Sequence, residues 1–560
     1  MLNVILKADV QGSLEAITES LKKLSTEKVR IEIIHGAAGA ISESDVMLAT
    51  ASNAIIIGFN VRPTAKVKEV AELEHVDIRF YDIIYKLVDE VKSAMAGLLA
   101  PVSKEVYLGQ AEVRQTFSLP KVGIIAGDKI VTVNDSTIAG VKMSREEVMK
   151  RLRGPKDSKV KLGILRQGIK GIQTFTVTRD KIPVYTIDAY YMIDSTTGYI
   201  RISSFGATTN EEFVKATDYL FALGMKDLVI DLQGNGGGYL QAAVDLSNHF
   251  LNTGEMIVYT EGRSVGRHEY RAKEEKMDIG KVVILVDGFT ASASEILSGA
   301  IQDNDRGIIV GRRTFAKGLV QRPIDLPDGS LIRLTIAHYY SPVGRCFQKP
   351  YTKGDKKSYD MDMLDRLNSG ELMSADSIHF PDSLKYTTRG GRVVYGGGGI
   401  MPDVYVPLDT AAYTHLHREL AAKSCITGTT LKWIEKNRKR LTKEYDIDAY
   451  RKAHAKWLSG KSYKVEDIRS GFERFKQDFT VPQDMMDILT AKAKEAKIEY
   501  TDSAFQATLP LLQLQLKALV ARDLWDMSEY HEIFNTSSEI YTQGLKALKN
   551  EELFQGIHSN

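Results

Sequence analysis

Two stretches of this chain read as strand, tight turn and helix, and that order restricts the region holding them to layered α/β folds. The first passes from Leu228-Val-Ile-Asp231 through Leu232-Gln-Gly-Asn-Gly-Gly-Gly238 into a helix that begins near Tyr239. The second passes from Val282-Val-Ile-Leu-Val286 through Asp287-Gly288 into an apolar-periodic stretch bearing Ile296, Leu297 and Ala300. Short apolar runs bounded by turn residues fit buried strands. Glycines let the backbone approach a ligand closely, and a helix start offers unpaired N–H groups and the positive end of the dipole.

The second unit also carries chemistry. Ser292-Ala-Ser-Glu295 matches a capping box, so the plain role of Ser292 is to cap the helix. A serine at a helix start is equally well placed as a nucleophile, because the same N–H groups stabilise an oxyanion. A serine nucleophile needs a base, yet this stretch has neither a G-x-S-x-G elbow nor a nearby histidine. Lys317 is the candidate instead. Lysine accepts a proton only when neutral, and burial in apolar surroundings disfavours its charged form. Ile308, Ile309, Val310, Phe315 and Leu319 flank it and are expected to make such a pocket. Gln321 could hold the amine through its amide oxygen. Taken singly, Lys317 reads as a surface charge and Gln321 as a polar neighbour.

The motifs together resemble the C-terminal processing peptidases, or tail-specific proteases. In that family a Ser-Ala-Ser helix start carries the nucleophile, a lysine 25 positions later is the base, and a glutamine follows after four more; Ser292, Lys317 and Gln321 have that spacing. The resemblance thus selects Ser292 over Ser294 and implies catalytic Ser292, Lys317 and Gln321. It implies an oxyanion hole from the Ala293 N–H and the Gly237 or Gly238 N–H. The family usually has arginine where Gln233 stands, which leaves any ion pair at that position in question. His338-Tyr-Tyr-Ser-Pro-Val-Gly-Arg-Cys-Phe-Gln348 and Tyr395-Gly-Gly-Gly-Gly-Ile-Met-Pro-Asp403 also resemble envelope-associated members and read as turns and strand ends. Residues 183–410 form the expected catalytic core, of the mixed α/β, crotonase-like kind.

Upstream, residues 127–182 resemble the second part of a PDZ domain, the module that binds substrate tails in these proteases. Gly127-Asp-Lys-Ile-Val-Thr-Val-Asn-Asp135 reads as a strand and turn, and Ser144-Arg-Glu-Glu147 caps a helix whose Val148 and Leu152 are the candidate peptide-binding residues. The strand and carboxylate loop that should precede Gly127 are not recognisable. Residues 1–98 instead alternate strand and helix as a small parallel α/β domain. Lys7-Ala-Asp-Val-Gln-Gly-Ser13, Ser42-Glu-Ser-Asp-Val-Met47 and Gly58-Phe-Asn-Val-Arg-Pro63 resemble the third domain of bacterial translation initiation factor two. Ile83–Leu98 is similar to that factor's connecting helix, and residues 99–126 to the opening strands of its next β-barrel. The chain therefore reads as a chimera. A cut inside a barrel and inside a PDZ domain leaves unpaired strand edges, which argues for an accidental join over a natural fusion. No G-x-x-x-x-G-K-[ST] phosphate loop is present, so the factor's nucleotide hydrolysis is not expected and residues 1–98 read as a spacer.

Residues 411–560 turn helical, with Trp433, Trp457, Phe472 and Phe475 expected in a core. The resemblance suggests that this part packs on the protease or makes subunit contacts, a possible homo-oligomer. A formal charge of +2 gives no bias toward nucleic acid or membranes, and Cys346 and Cys425 lack metal or disulfide spacing. No run of apolar residues is long enough for a membrane span, and the N-terminus does not read as an export signal. The expected function is a serine endopeptidase that acts on protein or peptide tails with no metal, nucleotide or other cofactor. The family's periplasmic or envelope location contrasts with a chain that reads as cytoplasmic. The alternative is a factor fragment that binds ribosome or tRNA, joined to an idle protease.

Overall fold

The alternation at the N-terminus folds as its period predicts. The computed structural model describes residues 2–24, 30–82, 84, 86–88, 90–91, 111–112, 128–141, 143–166, 169–180, 185–351, 356–409, 413–458 and 466–557. It divides into two units, Met1–Gly109 and Gln110–Asn560. In the first, strands β1 (Leu2–Ala8), β2 (Ile31–Ala38), β3 (Ala54–Phe59) and β4 (Ile78–Tyr81) pair in parallel in the order β2-β1-β3-β4. Helices α1 (Gln11–Leu24), α2 (Glu43–Ser52) and α3 (Ala65–Leu73) connect them. Ser42 and Asp45 cap α2 reciprocally, and Asp45 also pairs with the buried Lys7 at 3.2 Å. The expected connecting helix over Ile83–Leu98 and the barrel strands of 99–126 lie largely outside the described residues.

The second unit begins with β5 (Ala111–Glu112), β6 (Lys129–Val133), β7 (Ser136–Thr137), α4 (Arg145–Leu152), β8 (Lys159–Leu165) and β9 (Ile172–Thr178). The strands form an antiparallel sheet in which β5 borders β6. The capping box at Ser144 and Glu147 is present at the start of α4.

Next come β10 (Ile187–Met192), β11 (Thr197–Ile202), α5 (Thr209–Ala222), β12 (Asp227–Asp231), α6 (Leu240–Asn248), β13 (Met256–Glu261), β14 (His268–Arg271), β15 (Val282–Val286), α7 (Ala293–Asp303) and β16 (Ile308–Gly311). They are followed by β17 (Leu319–Asp325), β18 (Leu331–Tyr340), α8 (Lys356–Asn368), β19 (Lys385–Thr387), β20 (Val393–Tyr395) and β21 (Val404–Tyr405). The central sheet has the order β10-β11-β12-β15-β16-β21, parallel except for β10. A second, antiparallel sheet has the order β14-β13-β18-β17. Both strand–turn–helix units are present, and β12 and β15 are neighbours. Their turns therefore meet at the C-terminal edge of one sheet, where open α/β sheets bind ligands. Phe213 and Leu220 of α5, Ala243 and Leu246 of α6, and Ile296 and Leu297 of α7 build the core on one face.

The C-terminal part is α9 (His415–Ala422), α10 (Cys425–Glu444), α11 (Ile447–Leu458), α12 (Glu466–Asp478), α13 (Gln483–Glu495), α14 (Asp502–Leu524), α15 (Met527–Phe534) and α16 (Glu539–Lys549). Trp433, Phe472 and Phe475 are buried in a helical core. The last helix behaves differently. Ile540, Tyr541 and Leu548 of α16 pack on Tyr199, Val229, Val283, Leu285, Ile308 and Val310, covering the second face of the central sheet. The sheet core is thus closed by residues far beyond position 410.

Candidate active site

The buried strand β15 ends in a turn held by Asp287, whose Oδ1 accepts the N–H groups of Gly234, Phe289 and Thr290 at 3.0, 2.9 and 3.0 Å. One carboxylate oxygen therefore joins the glycine loop to the nucleophile turn. Ser292 follows at the start of α7 with φ 59° and ψ −114°, 9 % exposed. A non-glycine residue in such a conformation costs about 1–3 kcal/mol and persists only where its surroundings fix it. Here the Glu295 carboxylate accepts the Ser292 N–H at 2.8 Å.

Glu295 does more than cap. It is fully buried, and its Oε2 also accepts the Lys317 N–H at 2.8 Å, so the Ser292 and Lys317 backbone nitrogens lie no more than twice that distance apart. Its Oε1 accepts the Thr314 hydroxyl at 2.5 Å and the Ala316 N–H at 2.8 Å. Burial pushes this carboxyl up from its ordinary range, opposed by hydrogen bonds from Thr314, Lys317, Ser292 and Ala316. Ala316 has φ 73°, a second strained residue, directly before the lysine. Phe315 N–H donates to the Thr290 carbonyl at 2.9 Å, tying the two loops once more. Gly399 from the Tyr395–Met401 stretch passes so close that a Cβ there would stand 2.9 Å from Glu295 Oε1 and 2.6 Å from Thr314 Oγ1. That stretch, read from sequence as turns, packs over the Glu295 carboxylate.

Ser294 is committed elsewhere: it is fully buried and its hydroxyl donates to the Asn235 carbonyl at 3.1 Å. Asn235 also accepts the Ala291 N–H at 2.9 Å, and its Oδ1 accepts the Gly237 N–H at 2.8 Å. This corrects the expectation for Gly237, whose donor is spent within the loop. Among the described residues the N–H groups of Gly238 and Ala293 have no partner in the protein. Gly238 has φ 156°, and a Cβ on it would stand 2.0 Å from the Phe205 carbonyl oxygen, so only glycine fits. Gly237 sits against Ser292 itself, 2.8 Å from Cβ to Cβ if it carried one.

Gln233 takes part in no ion pair among the described residues; the one beside it is made from a neighbouring strand. Arg201 on β11 donates to Asp231 Oδ2 at 2.7 Å and to the Gln233 carbonyl at 2.9 Å, and Tyr199 Oη donates to the same Asp231 oxygen at 2.6 Å. His531 of α15 lies near this pair, its imidazole pushed down to about 4 by burial and then by the Arg201 guanidinium. Parallel pairing of Arg201 with Asp231 makes this arrangement possible.

Lys317 is half-buried and Gln321 is exposed on β17, beside a bulge between Val320 and Gln321. Among the described residues no hydrogen bond joins the Ser292 hydroxyl, the Lys317 amine and the Gln321 amide; the backbones are held, and the side-chain contacts are not made. Ile308, Ile309 and Val310 do not serve as the expected lysine pocket, because alternation along β16 assigns them to the cores on the two faces of the sheet. Val148 and Leu152 of α4 lie partly buried against Ile130, Val133, Val160, Leu162 and Ile164. Among the described residues no cluster of metal-ligating side chains occurs, and no helix is long and apolar enough to cross a membrane.

Residues 196–358 match Peptidase family S41. This part of the chain is a peptidase S41 domain. The glycine loop, the nucleophile turn and the Glu295 carboxylate with its four donors lie within it, while Gly399 and His531 lie beyond it. Residues 1–92 match Translation-initiation factor 2, and residues 464–526 match a family of unknown function. The chain is similar to Translation initiation factor IF-2 of Nitratidesulfovibrio vulgaris, 70% identical over 148 residues, which is 26% of this chain and 14% of that protein. The factor of Oleidesulfovibrio alaskensis is 74% identical over 126 residues, 22% of this chain and 13% of its own. The chain thus spans about one seventh of these relatives' length. Among solved structures, a photosystem II D1 C-terminal processing protease is 25% identical over 58% of this chain and 80% of its own, with a TM-score of 0.29. An S41 protease from Bacteroides fragilis is 15% identical over 45% and 75%, with a TM-score of 0.28. The S41 domain and the factor-like segment stand in one chain, which is consistent with a chimera.

Proposed function

We propose that the S41 domain is a serine endopeptidase of the C-terminal processing type, in which Ser292 is the nucleophile and Lys317 the general base. The observation that carries this reading is the shared Glu295 oxygen, which accepts the N–H of both residues at 2.8 Å. In the reaction the Ser292 hydroxyl attacks the scissile carbonyl while the Lys317 amine takes its proton. The resulting ammonium returns the proton to the leaving amine, and the acyl-enzyme ester forms. Water, deprotonated by the same lysine, then attacks the ester; the ammonium gives that proton to Ser292 Oγ as it leaves, which releases the acid and restores both residues. The Gly238 and Ala293 N–H groups receive the negative charge on the oxygen, aided by the start of α7. Gln321 orients the amine once substrate is bound.

The same reading takes residues 183–410 as a crotonase-like core and 127–182 as a truncated PDZ-like module. Substrate tails would lie along α4 near Val148 and Leu152, beside the sheet that ends at β5. For residues 1–98 we retain the reading of a structural spacer with no activity of its own.

Lys317→Ala tests the base directly. Hydrolysis of an unfolded protein substrate is expected to fall by about 10²–10⁴-fold, the usual contribution of general-base catalysis, with an unchanged far-UV circular dichroism spectrum. Wild-type turnover by Lys317→Ala would sink the assignment.

A further inference from the structure

The strap Arg313–Lys317 carries the proposed base, and its peptide groups are satisfied from two sides. Its donors, the Thr314 hydroxyl and the Ala316 and Lys317 N–H groups, face the buried Glu295 carboxylate. Its acceptors face cations and donors from elsewhere. Arg366 of α8, 3 % exposed, donates from Nη1 to the Thr314 carbonyl at 2.7 Å and from Nη2 to the Phe315 carbonyl at 3.3 Å. The Ala316 carbonyl accepts the Lys349 N–H at 3.1 Å.

The same helix reaches the nucleophile turn. Met363 lies against Gly288, its Cε 2.8 Å from where a Cβ on that glycine would stand. Asp362 pairs with Arg366 and with the buried Lys349, both at 3.0 Å, and the Lys349 amine lies 4.4 Å from the Phe315 ring centroid. Glu371, just past α8, receives Arg313 Nε at 2.6 Å. One helix therefore touches the loops of both proposed catalytic residues, and most of it lies beyond residue 358, where the match to Peptidase family S41 ends.

We propose that α8 clamps the two loops together and that Arg366 is a positioning residue for Lys317. This rests on the Ser292–Lys317 reading for its catalytic consequence, but not for its structural one. The strap is bracketed by a buried anion below its N–H groups and a buried cation above its carbonyls. The forked guanidinium meets the two consecutive carbonyls from two separate nitrogens in a fixed plane, where an ammonium offers a single nitrogen on a flexible stem. Holding Ala316 at positive φ requires such fixation from both sides.

The test uses the full chain and the variants Arg366→Met, Arg366→Lys and Ser292→Ala. Two quantities are read: kcat and KM on a reporter peptide, with active sites counted by fluorophosphonate titration, and amide hydrogen exchange of residues 314–317. For Arg366→Met, kcat per titrated site should fall about 10–100-fold with KM unchanged, the scale expected for misplacement of a reacting group. Strap exchange should accelerate at least about tenfold as local opening becomes easier. Arg366→Lys, which keeps the charge and one contact, should fall between. Should Arg366→Met fail to fold, Arg366→Lys and Met363→Ala make the same comparison. Wild-type kcat per site together with unchanged strap exchange would overturn the proposal. Hydrolysis that survives Ser292→Ala would overturn the reading of the active site instead, while the exchange data still decide the clamp.

Discussion

Glu295→Gln is expected to lower kcat by about 10²–10³-fold, the scale seen when one preorganised donor of an oxyanion hole is lost. The carboxylate has four donors aimed at it, two on each oxygen. An amide presents one oxygen and one NH2 group, so two of those donors must meet another donor. With the NH2 toward Oε1, the Ala316 N–H loses its acceptor. With the NH2 toward Oε2, the Ser292 and Lys317 N–H groups lose theirs. Each buried donor left unpaired costs about 1–3 kcal/mol, and in either orientation the cost falls on a strained residue, Ala316 in the first and Ser292 in the second. Thermal denaturation should move down alongside kcat. A Glu295→Gln chain with wild-type kcat would show that the shared carboxylate does not position the site.

A chain ending at Phe534 should not fold into an active protease. That truncation removes α16, whose Ile540 and Leu548, with Ile557 beyond it, are buried against the central sheet. Burying each such side chain contributes about 1.5–3 kcal/mol, before the newly exposed Val229, Val283, Leu285 and Val310 are considered. The loss is comparable with the whole stability of about 5–15 kcal/mol typical of a folded protein. The truncation also removes Asn535, whose Nδ2 donates to Tyr191 Oη at 3.0 Å. The Tyr191 ring lies 4.7 Å from that of Tyr199, which binds Asp231 beneath the glycine loop. Aggregation, or loss of cooperative unfolding, is the expected readout; a soluble and active truncated chain would contradict this role for α16.

The parts of the site legible in the sequence were those written in consecutive residues. The strands β12 and β15, the glycine loop and the start of α7 follow from local pattern, whereas the spacing from Ser292 to Lys317 has meaning only through the family resemblance. Glu295 was visible only as the third residue of a capping box, because its other hydrogen bonds come from a strap some twenty residues away. Arg201 was not legible either: its ion pair with Asp231 depends on two strands being neighbours, which no local period encodes. Gly237 and Gly238 are alike in sequence, and only the Asn235 side chain distinguishes their donors. Helix α8 was missed because its residues, Lys356-Lys-Ser-Tyr-Asp-Met-Asp-Met-Leu-Asp-Arg-Leu-Asn368, mix charge with few apolar positions. Its buried face is built around Arg366, a residue that ordinarily signals a solvated surface. At the C-terminus, α16 has the same amphipathic character as a bundle helix, so its sequence does not reveal that it packs on the protease sheet.

The central claim is that Ser292, and not its neighbour Ser294, is an activated nucleophile. The most direct measurement is labelling by a fluorophosphonate probe of the full chain and of its Ser292→Ala and Ser294→Ala variants, with the labelled peptide identified by mass spectrometry. The account predicts label on Ser292 in the unmutated chain, none in Ser292→Ala, and retained label in Ser294→Ala wherever that variant stays folded. Labelling that persists in Ser292→Ala would contradict it, as would a folded, unmutated chain that takes no label at all.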